Sequence, residues 1–299
     1  MTFSPDGAHL AYAASRDDRE FVVLDGQPGP ECDSIDPYFM RFSRTGKLGY
    51  RAVRGGRMWI VLDGRNGPEC EGIFDWSVSA DGRTVACITR TGDRWAVTID
   101  GKPEGDYDEV RAPVALSPDG AHVAYAARKD GKWFVVRDGR PGAAWELIGQ
   151  LPAFSADGSH SAFVARRDGR WFVVVDGREC GPCEWASWGG LRFSPDGKRF
   201  AYAVQQAGKW RVVVDGATAA EGDGVSDMPL RFSADGRHWA CMVKQGAEWR
   251  VIVDGEAGPG FDRMFDKLPD FTADVRMIYP AVKDNTLYRV THAPAQDVR

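Results

Sequence analysis

The phrase Phe-Ser-Pro-Asp-Gly, or a close variant of it, begins at Phe3, Phe42, Val78, Leu116, Phe154, Phe193, Phe232 and Phe271. The intervals are 39, 36, 38, 38, 39, 39 and 39 residues. A second phrase keeps step with it, an apolar run closing on Asp-Gly at Asp25, Asp63, Asp100, Asp138, Asp176, Asp215 and Asp254. Two phrases locked at a period near 40 make the chain an array of one structural unit. A length of 299 residues would by itself suggest two ordinary domains. The array leaves no gap for a linker, so residues 1–299 read as a single domain.

The sixth unit shows the local logic. Leu191 to Ser194 is a short strand, and Pro195-Asp196-Gly197 is a tight turn, with Pro presetting φ and Gly accepting positive φ. Phe200 to Val204 alternates as a strand does. After Gly208, Trp210 to Val214 forms a β-branched strand that ends at the hairpin signal Asp215-Gly216. A fourth strand is expected near Glu221 to Val225. No segment has helical periodicity. Each unit is thus a four-stranded antiparallel meander that cannot bury both faces alone. Four short strands in about 40 residues is the pattern of a propeller blade.

The units resemble the TolB-like β-propeller repeats of bacteria, which are WD-repeat-like. The resemblance covers nearly the whole chain. It rests on Phe-Ser-Pro-Asp-Gly, on the Ala-Tyr that follows (Ala11-Tyr12, Ala124-Tyr125, Ala201-Tyr202) and on the apolar strand before Asp-Gly. Eight starts predict an all-β propeller of eight blades. The last is incomplete, having Asp274-Val275 where others have Asp-Gly. Seven blades plus a C-terminal hairpin is the alternative.

Motifs that suggest chemistry are mostly absorbed by the repeat. Cys180-Gly-Pro-Cys183 has redox spacing, but it follows Asp176-Gly177 in a blade turn and lacks the βαβ setting that lowers a thiol pKa. Cys32, Cys70 and Cys183 each lie seven residues after an Asp-Gly aspartate, where other repeats hold Tyr107, Trp145 and Phe261. Cys87 and Cys241 occupy the slot of Tyr12, Tyr125, Phe163 and Tyr202. Those five cysteines read as core positions. His9, His122, His160 and His238 share one register around the array, so no metal or other cofactor is expected. The Asp-Gly pairs read as hairpins rather than as Ca²⁺ ligands or catalytic carboxylates. A nucleophile elbow and a phosphate loop are both lacking.

Trp59, Trp95, Trp133, Trp171, Trp210 and Trp249 open successive third strands and read as packing residues. Trp76, Trp185 and Trp188 break the register, in the segments leading into repeats three and six, and are candidate binding residues. Arg41, Arg192 and Arg231 directly precede the Phe of their repeats. Strand alternation sets each beside the following Ser and opposite the Phe. If the Phe packs between blades, the arginines face the central channel, where they could hold a carboxylate or phosphate. The competing reading pairs each with a neighbouring acid, Asp270 occupying the same slot. The turns between second and third strands are basic, and the connections between blades are acidic. That pattern fits either a charged binding face or a solvated surface of local ion pairs.

The net charge of −5 argues against nucleic acid as a partner. No apolar run approaches the roughly 20 residues of a membrane span, and no signal peptide precedes Phe3, which points to the cytoplasm. Met1 enters partway into a repeat, so a truncated N-terminus or a place within a larger protein is also expected. Two functions remain. One is a non-catalytic scaffold presenting a face to a protein or extended ligand. The other is a carbohydrate-active lyase or glycosidase, as some TolB-like propellers are, taking an anionic sugar or similar small molecule at the channel mouth. Sequence leaves the oligomeric state open.

Overall fold

A computed structural model describes residues 1–187, 191–264 and 270–294, without the side chains at 227–229. Eight antiparallel sheets follow one another along the chain: sheet 1 (2–28), sheet 2 (34–66), sheet 3 (72–107), sheet 4 (109–145), sheet 5 (147–183), sheet 6 (185–222), sheet 7 (224–257) and sheet 8 (263–292). Within each, strand order is chain order. The chain is an all-β propeller with eight sheets, and sheet 8 has three strands among the described residues. In sheets 2 and 6 the first strand comes in two pieces that both pair with the second.

The unit boundary lies earlier than the sequence suggests. In sheet 6 the fourth strand is Ala217–Gly222, directly after the Asp215-Gly216 turn, and Gly224–Phe232 already opens sheet 7. The Asp-Gly signal therefore joins the third strand to the fourth with no intervening loop. Asp25 and Gly26, at φ +50° and +80°, show the geometry that selects this pair, since a two-residue hairpin needs positive φ at both positions.

The chain divides into two compact units, Met1–Trp145 with Leu151–Ala153, and Glu146–Gln150 with Phe154–Arg299. In the first, sheets 1 to 4 pack through apolar faces. Ala11, Val22 and Cys32 meet Tyr50, Ala52 and Val61; Ala86, Ile88 and Val97 meet Val110, Val123 and Tyr125. In the second, sheets 5 to 8 do the same, Ala240, Met242 and Phe261 meeting Met277, Tyr279 and Ala281.

The Phe-Ser-Pro-Asp-Gly phrase builds the first hairpin. Ser117 is fully buried; its Oγ donates to Asp119 Oδ1 at 2.5 Å and accepts from the His122 N–H at 2.9 Å. Ser4, Ser155, Ser194 and Ser233 repeat both bonds. The Asp-Gly aspartate then ties the first–second turn to the third–fourth turn. Asp138 takes His122 Nδ1 at 2.9 Å on one oxygen and the Val123 N–H at 2.9 Å on the other. His9–Asp25, His160–Asp176, His238–Asp254 and Arg199–Asp215 are equivalent pairs. The recurring histidines are thus structural partners of the Asp-Gly aspartates.

Hydrogen bonds from serine also hold the turn carboxyls below the usual carboxylate range. Asp157 shows it most, lowered to about 2 by the Ser155 and Ser159 hydroxyls and the Ser159 N–H. Its folded pKa lies below an unfolded value near 3.9. The stability it contributes is present above about pH 4 and is lost as pH falls toward 2. Asp157→Asn is expected to flatten the acid limb of a urea-midpoint series over that window. An unchanged acid limb would remove Asp157 from the account.

Candidate functional site

Each sheet has two edges. The first–second and third–fourth turns share one, the turn edge, joined by the histidine–aspartate pairs. The second–third hairpins and the sheet-to-sheet connections share the other, the connection edge. A carboxylate fixes the connection edge in every sheet from 2 to 8. Asp33, Glu71, Asp108, Glu146, Glu184, Asp223 and Asp262 each accept the backbone N–H of their own sheet's second–third hairpin, at Gly55, Gly92, Asp130, Asp168, Ala207, Gly246 and Asp284. These carboxylates recur every 37 to 39 residues, a third phrase locked to the other two.

Several of these acids also meet basic residues of the preceding sheet: Arg19 with Asp33, Arg57 with Glu71, Arg94 with Asp108, and Lys209 with Asp223. Arg94 holds both Asp106 and Asp108 below the usual carboxylate range. The alternation of basic turns and acidic connections is therefore largely a set of local pairs. Exposed pairs of this kind contribute little each, and they leave less net field than the bare sequence pattern implies.

What the connection edge offers instead comes from interruptions of the first strand. Pairing with the second strand breaks midway in sheet 3 (Ile73/Asp75), sheet 4 (Arg111/Ala115) and sheet 7 (Val225/Leu230). In sheet 2 the break holds a 3-10 turn, Pro37–Phe39, capped by Asp36 accepting the Tyr38 N–H at 2.9 Å. Arg51 locks it from the second strand: its guanidinium stacks 4.0 Å over Phe39, pairs with Asp36 at 2.5 Å and donates to Ile73 O at 2.7 Å. Trp76 Nε1 donates to Phe39 O at 3.0 Å. On this anchored turn Tyr38 stands 91% exposed. Its sequence signal was an acid and proline beside a tyrosine, which no recurring slot singles out.

The register-breaking tryptophans separate. Trp76 is 0% exposed, which corrects its reading as a binding residue. Its ring lies where a side chain on Gly49 would go, 2.3 Å from the position of a Cβ there, so it is packing between sheets 2 and 3. Trp185 is 43% exposed and meets Trp171 edge-on at 5.6 Å. Trp188 lies outside the described residues.

Two of the three arginines already have partners. Arg41 donates to Trp76 O at 2.8 Å, lies 4.8 Å over the Trp76 ring and stands 3.7 Å from Asp75. Arg231 pairs with Asp270 at 2.9 Å, the acid its slot suggested. Arg192, on the first strand of sheet 6, has a buried Nε without a hydrogen-bond partner. The serines beside them do not face open space either: Ser43, Ser194 and Ser233 are 1–2% exposed, each held in its own turn. Cys180 and Cys183 lie on the fourth strand of sheet 5 as free thiols. Burial pushes the Cys183 thiol up to about 11, opposite to an activated nucleophile.

No family model matches the sequence, and no curated protein matches it. Among solved structures, the chain is similar to a eukaryotic initiation factor at TM-score 0.52 and 13% identity, covering 98% of this chain and 86% of that one. It is also similar to the Dos1 propeller (TM-score 0.43, 9% identity, 97% and 90% covered) and to TolB from Acinetobacter baumannii (0.34, 13%, 83% and 78%). At these identities the likeness extends to the propeller fold alone. Among the described residues, no helix is long and apolar enough to cross a membrane.

Proposed function

We propose that the chain is a non-catalytic scaffold whose connection edge binds a protein partner, with Tyr38 as an anchor. The observation that carries this reading is the combination of near-complete exposure of Tyr38 with a turn fixed by Asp36, Arg51 and Trp76. Tyrosines are enriched among the few residues that dominate binding energy at interfaces. A side chain presented from a rigid turn gives up less freedom on binding than one on a mobile loop. The arginine set favours no anionic-sugar enzyme, because Arg41 and Arg231 already have partners.

The test is photo-crosslinking in the source cells, with a benzophenone amino acid placed at Tyr38 or at Asn66. Asn66 is also exposed but lies at the turn edge. A discrete adduct from position 38, absent from position 66, is the expected result. No adduct at 38, or the same adducts from both positions, would overturn the reading.

A further inference from the structure

Between sheets 2 and 3 the packing fails to close. Within each compact unit, the residue seven past the Asp-Gly aspartate lies opposite the residue that follows the alanine of Ala-Tyr in the next sheet. Sheets 1 and 2 place Cys32 against Tyr50, whose hydroxyl reaches to 3.8 Å from where Gly29 would carry a Cβ. Sheets 3 and 4 place Tyr107 against Tyr125, with hydroxyls 3.1 Å apart. Sheets 5 and 6 place Cys183 against Tyr202, and sheets 7 and 8 Phe261 against Tyr279. Sheets 6 and 7 have only Gly222 and Cys241, but there the backbones close the gap: a Cβ on Gly222 would lie 2.5 Å from Lys244 O. Sheets 2 and 3 have Cys70 and Cys87, with no ring at either of these two slots; the Trp76 ring fills a different place, over Gly49. What remains is a cavity of about 830 Å³.

That volume lies in the range of small-molecule sites, about 300–1,000 Å³. Ile60, Ile73 and Val85 supply apolar wall beside the two thiols. Burial raises the Cys70 thiol and pushes the Cys87 thiol up to about 12, with Cys70 beside it, so both stay neutral at physiological pH. Thr98 brings one buried hydroxyl, bonded to Thr89 Oγ1 at 3.1 Å and with capacity for a further bond. Three bases (Lys47, Arg65, Arg83) and three acids (Asp63, Glu69, Asp100) also line it, all exposed except the half-buried Lys47, so they form a rim of balanced charge. The buried wall behind them, Ile60, Ile73 and Cys87 with the Thr98 hydroxyl, is uncharged, which disfavours burying an ion there and suits an apolar body carrying one polar end.

We propose that the space between sheets 2 and 3 binds a neutral, largely apolar small molecule with one hydroxyl or carbonyl group. This site is separate from the connection edge and does not depend on it.

The experiment uses the full chain with 2-naphthol as probe and 2-naphthalenesulfonate as its charged counterpart. Thermal shift measures binding, and mass spectrometry measures the rate of iodoacetamide modification of Cys70. Expected are a saturable upward shift with 2-naphthol and at least a threefold slowing of Cys70 modification, with neither effect from the sulfonate. Cys87→Tyr restores the ring other sheets have at this slot, and Cys70→Phe fills the cavity from the other wall. Each is expected to abolish the 2-naphthol shift, and either variant that retains its native circular dichroism suffices. Lack of a saturable shift in the unsubstituted protein, lack of Cys70 protection, preference for the sulfonate, or an undiminished shift in a folded, filled variant would each overturn the proposal.

Discussion

Replacing Trp76 by alanine is expected to destabilise the protein by about 3–5 kcal/mol, the range for removing a large aromatic side chain from a core. The ring is fully buried, and the space it fills is open only because residue 49 is glycine. Its removal also takes away the surface under Arg41 and leaves Phe39 O without its indole donor. The 3-10 turn below Tyr38 should therefore loosen along with the core. Urea denaturation gives the size of the loss, and hydrogen exchange at residues 38–40 should rise in parallel. A ligand-contacting tryptophan would behave otherwise: its removal would leave the urea midpoint where it was, and that result would count against a packing role.

Tyr125→Cys carries the second large effect, roughly 3 kcal/mol of lost stability. It places between sheets 3 and 4 the residue that sheet 3 has naturally at Cys87. Tyr125 is fully buried, packs edge-on against Tyr107 at 5.9 Å, and shares a hydroxyl contact with it. Truncation removes the ring and also orphans the Tyr107 hydroxyl. Tyr125→Phe keeps the ring and should cost only about 1 kcal/mol, the net value of a typical hydrogen bond. If both variants lose the same amount, the hydroxyl pair rather than ring volume holds this contact. The cavity between sheets 2 and 3 would then need a cause other than its missing rings.

The blade count and the core slots were legible because they recur. A residue type that returns at one register seven times reports its environment even in a single sequence. Four of the five cysteines read as core positions are buried, Cys70 being half-buried, and the Asp-Gly pairs are hairpins. Two recurring signals went unread. The aspartate at each Asp-Gly lies sixteen residues after His9, His122, His160 and His238. The hairpin-holding carboxylate alternates between Asp and Glu, which hid its period. Trp76 was misread because its partner is an absence: the space above Gly49 belongs to another repeat, and only three dimensions bring the two together. Tyr38 and its turn occur once, so nothing in the repeat marks them.

The carboxylate at the connection edge has a consequence for how such a chain can grow. Each acid grips a hairpin of its own sheet, so a segment cut from one acid to the next, such as 108–145, carries the polar contacts of all three of its turns. Contacts to the following sheet often end on main-chain carbonyls. Arg41 reaches Trp76 O, Ser77 reaches Val114 O, and Thr84 reaches Gly120 O. A carbonyl is present whatever the side chain, so a duplicated segment meets an acceptable neighbour on arrival. Lengthening a gene by tandem copying would thus preserve the joints, leaving later substitution to individualise the pieces.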